Sequence, residues 1–506
     1  MEKTAGPSIA SNVLGRFVHR AHLKQLGGNP ASVDKPRIGV VNSSGGMSVC
    51  YAHLDEIAKL VSDAVEAAGG YPVEIRTTGP TDGLFFVLGG RDAVPDARDI
   101  LAHDIEMMAK GEALDGLVLL SSCDSTTPGH LLAVAQLDLP AIIVPCGFQA
   151  GGQHCGRNIH IMDLYERTGA FLVGQADEQE LEDMADHTIG SPGVCAGLGT
   201  ANTMHMMAEA LGLALPGNAP IWAGSVRLRD FAAKAGEAIV GLVERDLRPS
   251  FILTEAAFHN ALAVLLVSGG AATAVHHLQA LGEACRLGVD VYAMVERLGK
   301  SFHQACFISP SGGGNMEELE AMGGVRALMK TLEGRLSLDA VTINGPLRAV
   351  LAAAEGADAY IPESSTTAGL VLVRGNLAPG GALVRPGVSV NGARAFEGAA
   401  VVVQNPSEAQ EAVRQGRVPP GSVLVMIGGI DDTACITTGA ALGDKIALVS
   451  NGGYSGLSRG LVVGFMPRGD EPGHPIHAVR DGDRIRIDVD ACLISWTKAG
   501  TNAVDA

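Results

Sequence analysis

Short apolar runs and amphipathic stretches alternate through the first third of the chain. Arg37–Val41 and Leu117–Leu120 are almost uniformly aliphatic, and each is too short for a helix, which predicts two buried strands. Between them, Ala52–Ala68 carries apolar residues at helical spacing and Tyr71–Arg76 alternates as a strand does. Ala141–Pro145 is a further buried strand by the same criterion. Repeated strand–loop–helix units predict a parallel sheet with helices on both faces.

The pattern changes twice along the rest of the chain. From about residue 162 to 336 the spacing is mostly helical, in Leu181–His187, Thr203–Leu213, Val226–Glu244, Thr254–Val267, Ala271–Leu287 and Leu319–Lys330. A helical lead-in is also predicted at Ala10–Leu26. After about Asn344, short β-like runs take over, in Leu370–Val373, Ala382–Val384, Ala400–Val403, Val423–Met426, Ile446–Val449, Leu461–Phe465 and Arg484–Val489. We therefore predict an α/β domain over residues 1–345 with helical insertions, and an antiparallel or mixed β-barrel or sandwich over residues 346–506.

Composition and charge exclude several classes of partner. The 506-residue chain has a formal net charge of −18, which argues against nucleic acid or an anionic membrane as the main partner. An acidic small molecule is still compatible, because a local pocket can oppose the overall charge. No apolar run approaches the roughly 20 residues that a bilayer crossing needs. No secretory signal precedes the first predicted helix, so we expect a cytoplasmic protein.

Three of the nine cysteines share one local setting. Cys50, Cys123 and Cys195 each lie in a loop rich in glycine, serine or proline, just before a predicted helix. Backbone N–H groups and the helix dipole favour a thiolate at such a position, and thiolates bind iron–sulfur clusters or zinc. The alternative is that they are small residues in tight loops, as Cys146 and Cys155 are expected to be. Spacing alone leaves both interpretations open.

Two aspartates and one serine are further candidates for chemistry. Asp82 and Asp124 follow predicted strands, where they could hold Mg²⁺ beside an acidic substrate or simply cap turns and helices. Ser455 lies in the glycine-rich turn 450–456, after the strand Ile446–Val449. A serine in such a turn can act as a base if a nearby Lewis acid stabilises its alkoxide, although most such turns are structural.

Several ordered blocks resemble the family of dihydroxy-acid, 6-phosphogluconate and sugar-acid dehydratases. The stretch from Cys123 to Gly129 resembles the family's Cys-Asp-Lys-x-x-Pro-Gly signature. The other matching blocks are Ser191–Leu215, Leu253–Ala261, Val373–Pro379 and Asp481–Val489. The resemblance runs from about Ala10 to Asp490 and implies an α/β N-terminal domain, a C-terminal β-barrel domain and an active site between them.

The resemblance also implies cofactors, roles and assembly. Cys50, Cys123 and Cys195 match the three cluster-binding cysteines, and a [2Fe–2S] cluster is favoured over a [4Fe–4S] cluster. One open iron would act as Lewis acid on the departing hydroxyl group of a hydroxy or dihydroxy acid. Ser455 matches the serine that removes the proton from C2, so that an enol forms and becomes a 2-keto acid. Family members form homodimers or homotetramers.

The chain departs from the family at the expected Mg²⁺ ligands. The family holds Mg²⁺ with two aspartates, a carbamylated lysine and a glutamate. Asp82 and Asp124 match the aspartates, but Ser125 stands at the lysine position and Gly428 at the glutamate position. Both replacements remove an anionic ligand, which argues against a standard Mg²⁺ site.

Other departures concern the glutamate position and the substrate. Asp431 or Asp432 could stand in for the missing glutamate. The family's Gly-Gly-Ser-Thr-Asn-Ala block has become Gly269–Ala274, and Asp-Gly-Arg-Phe-Ser-Gly has become Asn451–Gly456. We therefore expect a non-standard substrate. Two alternatives stay open: a cluster-dependent lyase or isomerase that expels another leaving group, and a non-catalytic homologue that serves as a structural partner.

Overall fold

The protein is described by a computed structural model over residues 13–87, 97–353, 365–389, 391–430 and 433–500. Among these residues, no helix combines the length and the apolar character that a membrane crossing requires. The first residues of the predicted lead-in helix, Asp431 and Asp432 lie outside the described residues.

The N-terminal part is an α/β structure with sixteen helices among its described residues. These are α1 Val13–Gln25, α2 Leu54–Ala67, α3 Asp82–Val87, α4 Ala97–Gly111, α5 Thr126–Leu137, α6 Ile161–Leu172, α7 Glu178–Thr188, α8 Thr200–Ala210, α9 Val226–Glu244, α10 Pro249–Ile252, α11 Glu255–Ser268, α12 Thr273–Ala284, α13 Val291–Leu298, α14 Met316–Ala321, α15 Gly324–Thr331 and α16 Leu347–Ala352. The strands are β1 Arg37–Asn42, β2 Tyr71–Arg76, β3 Gly116–Ser121, β4 Ala141–Pro145, β5 Gly152–His154, β6 Arg157–Ile159, β7 Val341–Thr342 and β8 Gly345–Pro346.

Four parallel strands form the central sheet, in the order β2-β1-β3-β4. Every residue of β1, β3 and β4 is buried, as their aliphatic sequences predict. Because all four strands run the same way, their carboxyl ends meet at one edge of the sheet. The loops that leave this edge carry Cys50 after β1, Asp82 after β2, and Cys123 with Asp124 after β3.

Each helix predicted between residues 162 and 336 overlaps an observed helix, whereas α6, α10 and α13 were not predicted. The prediction of α9 over Val226–Glu244 is confirmed residue for residue. The prediction of a single helix over Leu319–Lys330 is wrong, because the chain forms two helices there, α14 and α15, with a break between them. The break is at Gly323, whose φ of 94° lies in the left-handed region that ends a right-handed helix.

The C-terminal part is a nearly closed barrel of mixed strands. Its strands are β9 Val371–Val373, β10 Ala382–Val384, β11 Ala395–Val403, β12 Ser422–Met426, β13 Ala447–Ser450, β14 Leu461–Gly464, β15 Arg484–Asp488 and β16 Leu493–Thr497, with helices α17 Pro406–Arg414 and α18 Thr433–Gly439. The sheet order is β16-β15-β11-β12-β13-β14-β10-β9. A bridge between Arg374 and Leu493 joins the two edge strands, which confirms the barrel prediction.

Alternate residues of the barrel strands belong to two different cores. Val423 and Val425 of β12 pack into the barrel interior. Leu424 and Met426, which point the other way, belong to the large apolar cluster that continues into the α/β domain. The two domains therefore share buried surface, and the loops between them are held in fixed positions. The domain boundary near residue 345 stays a prediction.

Candidate active site

A cavity of about 590 Å³ lies where the carboxyl edge of the α/β sheet faces the barrel. The α/β domain contributes Asp82, Asp124 and Ser125 to its wall, and the barrel contributes the loop from Asn451 to Ser455. This loop follows β13, whose carboxyl end points at the same space. Ligands commonly bind at such strand ends in open α/β sheets, so this is the candidate active site.

Cys50 and Cys123 are in direct contact next to Asp82, which lines the cavity, although the cavity wall contains neither of them nor Cys195. Their side chains are hydrogen bonded, and this bond holds the pKa of Cys50 below its ordinary value while raising that of Cys123. Burial opposes the shift at Cys50, and a nearby Asp82 charge opposes it too. Ser122 fixes the pair, because its hydroxyl donates to the Cys50 carbonyl oxygen at 2.6 Å. Cys50 therefore ionises more readily than Cys123.

Cys195 lies in the loop next to this pair. The Gly193 N–H donates to the carbonyl oxygen of Val49 at 3.3 Å, which joins the Cys195 loop to the Cys50 loop. Asn202, on α8, donates to the carbonyl oxygens of Cys195 (2.7 Å) and Gly197 (2.8 Å). The three cysteines do not form a group in which all sulfur atoms lie within 4.8 Å of one another.

Ser125 occupies both oxygens of the Asp82 carboxylate. Its backbone N–H donates to Oδ2 at 2.8 Å, and its hydroxyl donates to Oδ1. Burial raises the pKa of Asp82, and these two hydrogen bonds from Ser125 work against that rise. The hydroxyl therefore sits on an oxygen that a metal ion would otherwise bind.

Asp124 ties the Cys123 loop to the start of a helix. Its Oδ1 accepts the Ala201 N–H of α8 at 2.6 Å, which is favourable because the helix N-terminus carries partial positive charge. Thr200, at the first position of α8, also lines the cavity, and its hydroxyl donates to that of Thr273 at 3.2 Å. The structure thus brings Asp82 and Asp124 to one wall of the same cavity.

Ser455 lies on the opposite wall of the cavity, in a turn held from both sides. Its N–H donates to the Ile430 carbonyl oxygen at 3.0 Å, and its Oγ accepts the Leu457 N–H at 3.2 Å. A donor aimed at Oγ favours the negative charge that a serine base would carry.

Gly428 does not offer a ready place for a glutamate. Its φ of 113° is a conformation that residues with a Cβ rarely adopt. Asn451 fixes the local backbone, because its Oδ1 accepts the Gly428 N–H at 2.7 Å and its Nδ2 donates to the Gly469 carbonyl oxygen at 3.1 Å. The position that matches the family's glutamate therefore has neither the side chain nor the backbone for that role.

Arg385 is a site residue that the sequence analysis missed. This buried guanidinium donates to three carbonyl oxygens, those of Gly269 (2.7 Å), Gly456 (2.7 Å) and Leu198 (3.1 Å). Burial lowers its pKa to about 10, so it keeps its charge at neutral pH. It connects the Ser455 turn of the barrel to two loops of the α/β domain. The only signal in the sequence is an arginine placed directly after the buried strand β10.

The sequence analysis also missed a corner of the cavity that contains one arginine and two histidines. Arg98, His276 and His277 line it, and Arg98 Nη1 lies 3.3 Å from His277 Nδ1. Burial lowers the pKa of His277 well below its usual value, so His277 is neutral at pH 7 and accepts this hydrogen bond. Asp99 also lines the cavity, and its carboxylate accepts two hydrogen bonds from Arg98, at 3.1 Å and 3.0 Å. No motif marks these residues, because helices from separate parts of the chain contribute them.

Two cysteines that the sequence analysis assigned to structural roles lie elsewhere. Cys146 is buried at the end of β4, where its thiol donates to the Val144 carbonyl oxygen at 3.3 Å. Burial raises the pKa of this thiol, which is therefore neutral. Cys155 is exposed in the turn between β5 and β6. Neither lines the cavity.

Comparison with known proteins gives a consistent result over both domains. The family models described as dihydroxy-acid/6-phosphogluconate dehydratase N-terminal and C-terminal match residues 35–349 and 361–502. Dihydroxy-acid dehydratases from Methanothermobacter thermautotrophicus and Acetivibrio thermocellus are 36% and 34% identical to the chain, each over 94% of it and 89% of the relative. The enzyme of the same name from Halothermothrix orenii is 33% identical over 94% of the chain and 90% of its own length. The chain belongs to the dihydroxy-acid/6-phosphogluconate dehydratase family, and it is accordingly a dehydratase, a carbon–oxygen lyase.

Proposed function

We propose that the protein is an iron–sulfur-dependent hydro-lyase that removes water from a hydroxy or dihydroxy acid. The observation that carries the proposal is the contact between Cys50 and Cys123 at the sheet edge, with the Cys195 loop bonded to it and a cavity beside it. Dihydroxy-acid dehydratases are the relatives with these domains, and their family uses an iron–sulfur cluster.

The donor set fits an iron–sulfur cluster. Three soft sulfur ligands suit iron better than Mg²⁺, and the hydrogen bond from Cys123 lowers the pKa of Cys50, which favours the thiolate form that binds iron. Three cysteines leave one cluster position without a protein sulfur ligand. We favour a [2Fe–2S] over a [4Fe–4S] cluster, and Cys50, Cys123 and Cys195 would hold it. A bound cluster supplies a Lewis-acidic iron that stabilises negative charge on the departing hydroxyl oxygen.

Ser455 is the proposed base. Its Oγ, as the alkoxide, takes the proton from C2, the carbon beside the substrate carboxylate, and the C–H electron pair becomes the C2=C3 double bond. The C3 hydroxyl group leaves with its C–O electron pair as hydroxide, takes up a proton and is released as water. Where C2 carries a hydroxyl group, the product is an enol, which loses its hydroxyl proton, gains a proton at C3 and becomes a 2-keto acid. The Leu457 N–H stabilises the charge on Oγ, and Arg385 holds the adjacent Gly456 carbonyl so that the turn keeps its position.

The residues present do not fit the family's Mg²⁺ site, and no step of the reaction is assigned to that ion. Ser125 hydrogen bonds to both oxygens of Asp82, and it cannot be carbamylated as a lysine can. Gly428 provides no carboxylate. Two anionic ligands of four are therefore missing from the described residues, which supports a substrate that needs no Mg²⁺ chelate at its carboxylate end.

Arg98 is the proposed partner of the substrate carboxylate. Its side chain is 17% exposed, and it reaches the cavity from α4 beside the neutral His277. Arg468, the other arginine in the described cavity wall, has a side chain that is 79% exposed, so its charge is screened by water. Asp99 accepts from Nε and Nη2 of Arg98, so Nη1, beside His277, is the group proposed to meet the substrate carboxylate.

Anaerobic turnover tests the reaction type. Anaerobically purified protein is incubated with aldonic acids and branched 2,3-dihydroxy acids, and water loss is followed by mass spectrometry. We expect a 2-keto acid product, and at least a 100-fold lower rate for Ser455→Ala. Ser458→Ala is the matched control, since Ser458 is buried three residues further on and does not line the cavity. Loss of a different group would favour the other-lyase alternative, and a cluster-free, inactive protein would favour the non-catalytic alternative.

Assembly and location remain expectations of the same proposal. A homodimer or homotetramer that acts on a small-molecule acid, in the cytoplasm and without nucleic acid or membrane partners, stays a prediction. Size-exclusion chromatography with light scattering tests the oligomeric state.

A further inference from the structure

Outside the candidate active site, one group of side chains has the composition of a metal site. His154, Asp183 and His187 each offer one ligand atom, and these atoms all lie within 4.8 Å of one another. Among the described residues this is the single group of three or more histidine, cysteine and acidic side chains that meets this distance. None of the three residues lines the cavity of about 590 Å³.

The local sequence builds this group from a tight hairpin and a helix. Cys155 and Gly156 have φ angles of 47° and 74°, as the two central residues of a type I′ turn require. The turn pairs His154 with Arg157 at the end of the β5–β6 hairpin. On α7, Asp183 and His187 are four residues apart and therefore share one face of the helix.

The hairpin and the helix are packed backbone against backbone. A Cβ at Gly152 would lie 1.5 Å from the His187 carbonyl oxygen, so only glycine allows this approach. Beyond the helix, Gly151 bridges to Ile189, and the Gly190 N–H donates to the Ala150 carbonyl oxygen at 3.0 Å. The three side chains are therefore brought together by the fold itself, before any ion binds.

Hydrogen bonds orient the two imidazoles. His187 Nδ1 lies 2.7 Å from the Asp183 carbonyl oxygen, and donation of this proton leaves the lone pair on Nε2. His154 Nδ1 lies 2.9 Å from Asp183 Oδ2, within hydrogen-bond distance. The His154 side chain is 16% exposed, whereas Asp183 (53%) and His187 (51%) are open to solvent. An ion can therefore enter from the surface.

The charge around the group favours a cation. The other acidic residues of α7 are Glu178, Glu180, Glu182 and Asp186. Of these, Glu180 is paired with Arg167 at 2.6 Å. Cys155 adds a soft donor close by, because its Sγ lies 3.4 Å from His154 Nε2.

We propose that His154, Asp183 and His187 bind a zinc ion or a similar transition-metal dication. Two imidazoles and one carboxylate are ligands that zinc commonly takes, whereas Mg²⁺ prefers oxygen alone. Three protein ligands leave a fourth position for water. The ion would link the hairpin to the end of α7, from which the chain continues into the loop that carries Cys195. This site is independent of the proposed iron–sulfur cluster.

Zinc titration calorimetry on the full chain, washed with chelator under anaerobic conditions, tests the proposal. We expect His154→Ala and His187→Ala each to weaken one zinc-binding event by at least about 100-fold, since even the loss of an outer-shell partner costs 10- to 100-fold. His103→Ala is the matched control. His103 is an exposed helical histidine whose Nδ1 lies 2.8 Å from the carbonyl oxygen of Asp99, four residues earlier, but it belongs to no group of three ligands.

A second measurement separates binding from unfolding. Zinc should raise the melting temperature of the wild type and of His103→Ala, and should raise it less in the two site variants. Zinc binding that persists unchanged in His154→Ala or His187→Ala would overturn the proposal. The proposal would also be overturned if the wild type bound no more zinc than the two site variants. An equal loss of zinc binding in His103→Ala would overturn it too.

Discussion

Ser125 donates both its backbone N–H and its hydroxyl to the carboxylate of Asp82, one to each oxygen. Ser125 replaces the lysine that the family uses as a metal ligand, and it hydrogen bonds to both carboxylate oxygens of Asp82, the matching aspartate ligand. The loop that carries Cys123, the strongest family signal, also carries this departure. The consequence is a site that resembles its family at the cluster cysteines and differs from it at the metal.

The Ser125 hydroxyl should contribute measurably to stability. Ser125→Ala leaves one oxygen of the buried Asp82 carboxylate without this donor, so we expect the free energy of unfolding to fall by about 1–3 kcal/mol. Denaturant unfolding measures the change. Ser62→Ala is the control, because the Ser62 hydroxyl donates only to the helix carbonyl of Ala58 at 2.8 Å, and its loss should be close to neutral. Equal effects in the two variants would refute the role of the Ser125 hydroxyl.

Removal of Mg²⁺ should leave the enzyme unchanged. With Ser125 and Gly428 at the positions of two anionic ligands, the wild type lacks two of the four negative charges of the family's Mg²⁺ site. We expect the same turnover rate and melting temperature after a brief chelator treatment and desalting as after Mg²⁺ is added back. Iron is assayed in each sample to verify that the chelator spared it. A rate that falls on treatment and returns with Mg²⁺ alone would show that a site exists.

Arg385 should affect catalysis through the Ser455 turn, because it donates a hydrogen bond to the carbonyl oxygen of Gly456. Lysine keeps the charge, but one ammonium group cannot reproduce three diverging N–H donors. We expect Arg385→Lys to lose about 2 kcal/mol or more of stability, because at least one buried carbonyl loses its donor. The Ser455 turn should then shift, which lowers kcat more than it raises KM. Arg374→Lys is the control, since Arg374 is 43% exposed and pairs with Glu296 at the surface.

The sequence predicts this site unevenly, for a physical reason. The loops of Cys50, Cys123 and Cys195 follow from local patterns, because strand, turn and helix signals lie within a few residues of each cysteine. Arg385 escapes prediction because its carbonyl partners lie 71, 116 and 187 residues away in the chain. Only the tertiary structure brings them together, and nothing in the pattern near β10 encodes them.

The same limit applies to the barrel. Seven of its strands are anticipated from short β-like runs spaced by turns, whereas β16, with the mixed sequence Leu493–Thr497, is not. This strand alternates only weakly, and its place is set by pairing with β15 and by the bridge to Arg374. Edge strands of this kind depend on their neighbours more than on their own sequence.

Glu209 should make stability depend on pH. This buried carboxylate of α8 accepts the N–H groups of Gly217 and Ala219, but burial raises its pKa to about 7. The folded state therefore holds a proton that the unfolded chain has already lost, so stability falls as pH rises from about 5 to about 8. The loss is on the order of 3 kcal/mol. Denaturant unfolding across this range should show the fall in wild type and a flatter profile in Glu209→Gln.

An exposed residue provides the comparison for Glu209. Glu237 lies on the solvent side of α9, so Glu237→Gln should follow the wild-type pH profile. A Glu209→Gln profile parallel to that of the wild type would show that this carboxyl group does not titrate in the range.

Iron and acid-labile sulfide per chain, measured in anaerobically purified protein, test the central proposal most directly. We expect stoichiometric iron and sulfide in the wild type, and strong depletion in Cys50→Ser, Cys123→Ser and Cys195→Ser. Cys285→Ser should keep the full content, because Cys285 ends α12 away from the cavity and burial raises the pKa of its thiol to about 12. A wild type without iron and sulfide, or cysteine variants that retain both, would contradict an iron–sulfur-dependent hydro-lyase.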